Sequence, residues 1–252
     1  MKDDMSGSWR ITGGTIIVGL VMAVFPPSGR TADEPQQRER QQERKLVEDV
    51  YKARENYEAR LERLHAFYVH TNNDEGRRWV EKELTDYRLL VKNPYLLDMD
   101  LPDPGLTPDT SIPQANRIFR DALDWLNRRS LTEREENYKR AELLFRRLLR
   151  DYPRSDKLDE TCYYLGEIYS SKYFQQYRRA AAFYERVIHY QPNTNLDARL
   201  RAAHLYEHYI EDRQRAISLY QEVLRREVDP TQTREAKRRL DILLGARAST
   251  RQ

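Results

Sequence analysis

The segment His204-Leu205-Tyr206-Glu207-His208 has the residue types and spacing that come nearest to chemistry in this chain. Two imidazoles four residues apart share one face of a helix and can both reach a Zn²⁺ ion. With the intervening carboxylate as general base, this is the H-x-x-E-H spacing of inverted zinc peptidases. A catalytic zinc also needs a third protein ligand on a neighbouring element and a cleft for substrate. His65, His70 and His189 stand without a cysteine or a paired carboxylate beside them in the sequence. A glycine loop that could cradle phosphate and a Gly-x-Ser-x-Gly elbow are both absent from the sequence. Cys162 is the only cysteine, which excludes an intramolecular disulfide and a cysteine-built metal site; it reads as a small buried apolar residue. The expectation is a chain with no catalytic residues, no metal and no cofactor, so not an enzyme.

Helices must position these groups. Of 252 residues, 34% are charged, 39% hydrophobic and only 9 are glycine, a balance that suits solvent-washed helices and leaves little for turns between strands, so we expect an all-α fold. The net charge of +3 is the near cancellation of 44 basic and 41 acidic residues, too even for the concentrated positive field that nucleic acid requires. The arginine pairs Arg146-Arg147, Arg225-Arg226 and Arg238-Arg239 sit among acidic neighbours and read as solvated helix faces.

One apolar run interrupts this polarity. Residues 11–25 carry no charge and include Ile16, Ile17, Val18, Leu20, Val21, Met22, Val24 and Phe25. Residues 1–27 therefore read as a cleaved signal peptide or as a membrane anchor over 9–25, and either places the remainder outside the cytoplasm, in the cell envelope or periplasm. No cysteine follows the run to accept a lipid. Residues 28–45, rich in Gln, Arg, Glu and Pro, read as a disordered tether that turns helical toward its end.

From there Leu46, Val50, Ala53, Tyr57, Leu61, Leu64 and Tyr68 recur at threes and fours, one amphipathic helix broken at residues 71–76. A second helix follows with Trp79, Val80, Leu84, Tyr87 and Val91 on one face, making residues 46–92 an antiparallel hairpin. The 46, 50, 53, 57 spacing also fits a coiled-coil seam, which the step to 61 breaks, so homo-oligomerisation through residues 40–91 stands as the alternative role for this part. Pro94, Pro102, Pro104, Pro108 and Pro113 make residues 93–113 a linker that holds neither a helix nor an interior strand.

Beyond the linker a pattern repeats. Tyr138, Ala141, Phe145, Leu148, Leu149 and Pro153 are matched in order by Tyr177, Ala180, Tyr184, Val187, Ile188 and Pro192, and more weakly by Ala216, Tyr220, Val223 and Leu224. A period of roughly 36 to 39 residues is that of stacked helical hairpins. Each alanine lets the second helix of a hairpin approach the first, each aromatic fills the space between hairpins, and Pro153 and Pro192 end their helices.

These residues resemble the tetratricopeptide repeat family. Leu165-Gly166 and Tyr169 match its first-helix signature, with Cys162 where an early aromatic usually stands; Trp125 takes that aromatic position in the preceding unit, and Ala203 and Tyr206 take the small-residue and tyrosine positions in the following one. Units of this length carrying Tyr-Leu-Gly-Glu-Ile-Tyr are similar to the exported bacterial subgroup concerned with outer-membrane assembly and envelope coordination. The resemblance covers residues 114–245 and implies a solenoid that binds a protein or peptide partner. It also implies a closing cap helix at 233–244, packed through Ala236, Leu240, Leu243 and Leu244, before a disordered tail at 246–252. The first helices would line the concave side, exposing Glu160, Tyr163, Glu167, Ser170, Asp197, Leu200, His204, Glu207 and His208. That set reads as an acidic groove with aromatic and imidazole interruptions, suited to a segment bearing basic residues.

Overall fold

The computed structural model describes residues 33–90, 92–128 and 132–248, and within these the chain is helical, with no strand among the described residues. By contact density the chain divides into two units, Met1–Glu43 and Arg44–Gln252. The signal or anchor expected over residues 1–27, Val91 and residues 249–252 lie outside the described residues. No helix among the described residues is long and apolar enough to cross a membrane.

Helix α1 runs from Asp33 to His70 and α2 from Asp74 to Arg88. Residues 33–45, expected in the tether, are helical: Gln, Arg, Glu and Lys are strong helix formers, and propensity sustains a turn where burial does not. Asn72 in the left-handed region turns the chain, and the Asn73 Oδ1 caps α2 by accepting from the Gly76 N–H at 3.0 Å. The two helices lie antiparallel, because Tyr87 reaches the Arg54 carbonyl, Leu84 and Val80 pack on Leu61, and His65 meets Glu81. Gly76 lets the helices close at the tight end, where an added Cβ would stand 2.9 Å from the Tyr68 ring. Trp79 does not join the seam as expected: Gly76, Val80 and Leu84 occupy it, which turns the neighbouring position outward.

The proline-rich segment departs furthest from expectation. It contains a one-turn helix, α3 (Leu97–Asp100), and it is packed along the protein. Leu101 and Ile112 rest on the main core, the Tyr190 hydroxyl donates to the Asp103 carbonyl at 2.6 Å, and Thr110 pairs with the backbone of Arg154 and Asp156 in a single parallel bridge. Proline excludes long regular structure, yet leaves carbonyls and side chains free to dock.

The remaining helices are α4 (Pro113–Asn127), α5 (Arg134–Asp151), α6 (Leu158–Ser170), α7 (Tyr177–Tyr190), α8 (Ala198–Leu205) with a π-helical turn (Tyr206–Ile210), α9 (Arg213–Arg226) and α10 (Pro230–Ala248). Each packs chiefly on its neighbours in the chain. Ala141, Ala180, Ala203 and Ala216 are fully buried, as are Phe145, Leu165, Tyr169 and Tyr220, with Tyr184 nearly so. The closest approach is at Gly166, where a Cβ would meet the Tyr184 ring at 2.6 Å. Helices α5 and α7 stop at Asp151 and Tyr190, two residues before Pro153 and Pro192. Trp125 is only partly buried, its ring covered by the guanidinium groups of Arg128 and Arg140 at 3.6 and 4.8 Å. Tyr206 opens the π turn, which ends on Glu211 in the left-handed conformation. In α10, Ala236, Leu240 and Leu243 face the core, but Leu244 is exposed, and the helix continues over residues 246–248 where a tail was expected.

Candidate functional site

The first helices of successive hairpins, α6, α8 with its π turn, and α10, bring the expected face together as two polar nodes. In the first, the Tyr163 hydroxyl donates to Asp197 at 2.7 Å, and Asp197 also receives Arg201 Nε at 2.7 Å. Arg201 reaches back to Glu167 at 2.7 Å, and Glu167 accepts the Tyr184 hydroxyl. Ser170 donates to the Glu167 carbonyl, so its hydroxyl is used within α6. In the second, the Tyr220 hydroxyl donates to Glu207 at 2.7 Å, and Arg239 from α10 grips both oxygens of Glu207. Both nodes have one plan: a tyrosine from a second helix and an arginine from the next first helix converge on a carboxylate between them.

The electrostatics follow. Burial first, then the adjoining carboxylate, pushes the Tyr163, Tyr184 and Tyr220 hydroxyls well above the ordinary phenol range, so they stay protonated donors. Burial pushes Glu207 upward, but the hydrogen bonds from Arg239 and Tyr220 outweigh it and hold the carboxyl below its usual value. Hence Glu207 stays ionised, and Glu167, Asp197 and Glu207 each meet an arginine. The expected acidic groove becomes a charge-balanced polar wall, because Arg201 and Arg239 reach Glu167 and Glu207 from the neighbouring hairpin, while Arg201 also pairs with Asp197 at the start of its own helix. Leu200 is not a surface contact at all but belongs to the core. Glu160, paired with Lys157 at 2.7 Å, and His208 remain accessible.

The H-x-x-E-H segment straddles the junction of α8 and the π turn. The ring centres of His204 and His208 are 6.2 Å apart, and Arg239 stands 3.1 Å from His208 Nε2 while gripping Glu207. A guanidinium thus occupies the place a metal would need between carboxylate and imidazole. Among the described residues no group of three or more His, Cys, Asp or Glu is arranged to hold a metal ion. Burial against the Tyr220 ring, 5.7 Å away, lowers the His204 pKa and favours the neutral imidazole, although Glu235 opposes the shift. Cys162 is fully buried, and desolvation raises its thiol far out of the reactive range.

A third node lay outside the sequence reading. Arg179 on α7, with 1% of its side chain exposed, forks onto Asp100 of α3, 4% exposed, at 2.6 and 2.8 Å. Arg146 joins Asp100 at 2.9 Å, Gln176 accepts from Arg179 at 2.8 Å, and the guanidinium lies 3.8 Å from the centre of the Tyr169 ring. Tyr169 in turn donates to Glu142 at 2.8 Å. The only hint in the sequence was the acidic content of the proline-rich segment, Asp98, Asp100 and Asp103, set against arginine-bearing helices. Arg199 on α8 is likewise buried, bonded to Glu227 at 2.6 Å and to the Pro192 carbonyl.

No family model, no curated protein and no solved structure matches this chain.

Proposed function

We propose that residues 114–245 form a tetratricopeptide-like solenoid. It acts as a non-enzymatic scaffold, exported or tethered through residues 9–25 in the cell envelope, and it holds a peptide or protein segment on the face of its first helices. The observation that carries this reading is the tyrosine-carboxylate-arginine node, which occurs twice, linking α6 to α8 and the π turn to α10, and so presets a polar wall without ordering cost on binding. The groups that could do chemistry are consumed by structure: Cys162 is sealed, Glu207 is gripped, and His204 is held neutral. Glu160, His208 and the half-buried Tyr163 ring are left to meet a partner. Its charge is not dictated by the wall, since the carboxylates are already balanced.

Photo-crosslinking tests this reading. A benzophenone side chain at Glu160 or His208 should capture envelope protein, while the same group at Arg147 or Gln221, exposed on second helices, should not. Equal capture from both faces, or capture from the second helices alone, would refute it. N-terminal sequencing of the mature protein decides between a removed signal and a retained anchor.

A further inference from the structure

Helix α1 carries two heptad seams displaced by one residue. Val47, Arg54, Leu61 and Tyr68, with Tyr51, Glu58 and His65, form the first. Along this seam Leu61 is buried against α2, and Glu58 and His65 pair with Arg88 and Glu81. Leu46, Ala53, Arg60 and Phe67, with Val50, Tyr57 and Leu64, form the second, and all seven are exposed. The step from 57 to 61 that interrupts a single seam in the sequence is a change of face, because the second seam continues through Arg60 to Leu64. A displacement of one residue rotates the seam by about 100°, so α1 offers apolar edges to two different neighbours, as a helix does in a bundle. Trp79 enlarges the open edge: it is 64% exposed and stands one turn before Glu83, which takes the Tyr57 hydroxyl.

From Leu46 to Phe67 this edge runs roughly 33 Å. Leu46 and Phe67 are 59% and 57% exposed. Closing two such edges on each other removes on the order of 1,000 Å² from water, the size at which specific interfaces begin. We propose that the occupant is a second copy of this chain, with α1 antiparallel to α1, so that two hairpins close into a four-helix arrangement.

Arg60 decides the direction. A parallel pair would stack Arg60 on its own copy within the apolar seam, two like charges face to face. The antiparallel register instead sets Arg60 over Tyr57 of the second copy, a cation on an aromatic face, with Ala53 against Leu64 and Val50 against Phe67. Small then meets large in the Ala53 and Val50 layers. Asp49, beside the start of the seam, comes near the basic end made by Arg63 and His70.

Because Cys162 is buried, introduced cysteines report the pairing in the full chain without interference. In mild detergent, Ala53→Cys mixed with Leu64→Cys should form a covalent dimer on oxidation, since facing seam positions come within disulfide reach, while neither variant alone should. Light scattering should give the wild type the mass of two protomers and Phe67→Glu that of one, with unchanged circular dichroism because the residue is exposed. Crosslinking of Ala53→Cys to itself would overturn the antiparallel pairing. A wild-type mass of one protomer would overturn the dimer, including the case in which the same edge binds lipid vesicles and Phe67→Glu abolishes their flotation with the protein.

Discussion

Replacing Asp100 by alanine leaves the Arg179 guanidinium buried without the carboxylate that takes two of its N–H groups. Arg146 loses the same partner and keeps Glu142, 3.8 Å away, and the Tyr169 hydroxyl. Both members of the main pair are at least nine-tenths buried, so solvent screening does not soften the loss. Removing one partner of a buried pair costs about 3 to 5 kcal/mol. For a domain of this size that corresponds to a fall in Tm of roughly 10 °C. The measurement is urea and thermal unfolding followed at 222 nm, with hydrogen exchange on the linker. Amide protection at Leu101, which bonds back to Leu97, and at Thr110, which bonds to Arg154, should fall together. Asp100→Leu combined with Arg179→Leu should recover most of the loss, because it removes both charges and not one. A single Asp100→Ala variant melting within about 1 °C of the wild type, with linker protection intact, would refute the view that this node fastens the segment.

Three further outcomes follow from the packing and the titrating groups. Gly166→Ala drives a methyl into the Tyr184 ring and should destabilise the fold by about 1 to 3 kcal/mol, read as a lower urea midpoint, with partial recovery when Tyr184 is shortened to Leu. The lowered His204 pKa means that the unfolded chain binds the proton more readily. Its contribution to stability should be full above about pH 6.5, decline as the pH falls below that value, and level off below the folded pKa; His204→Gln should remove that part of the pH dependence in unfolding titrations. Cys162 should resist thiol reagents in the native protein and react at once in denaturant, as a colorimetric thiol assay would record.

Where helices begin and end was legible locally. Pro153 and Pro192, the alanines of the second helices, and the Leu165-Gly166 pair act within a few residues of themselves, so spacing alone placed α5, α6 and α7. The helical stretch over residues 33–45 was misread because lack of burial was taken as lack of structure, although its residues favour helix without burial. Trp79 was misplaced since two adjacent positions cannot share one narrow seam, and pattern does not say which of them wins. The charge of the candidate face was not legible: Glu167 and Glu207 look acidic until Arg201 and Arg239 are brought to them from the next hairpin, and Leu200 looks like a surface position until the core closes over it.

Composition and short-range spacing thus determined the helical class and the identity of the small and aromatic packing residues, because these depend on backbone geometry and on contacts three or four residues apart. Only the tertiary structure decided that the proline-rich segment docks through Asp100 and that Glu167 and Glu207 are met by arginines from another helix. It also decided that α1 keeps a second apolar edge open. Each of these depends on which groups meet across dozens of residues of chain, and a charge or an apolar edge takes its meaning from the neighbour it finds there.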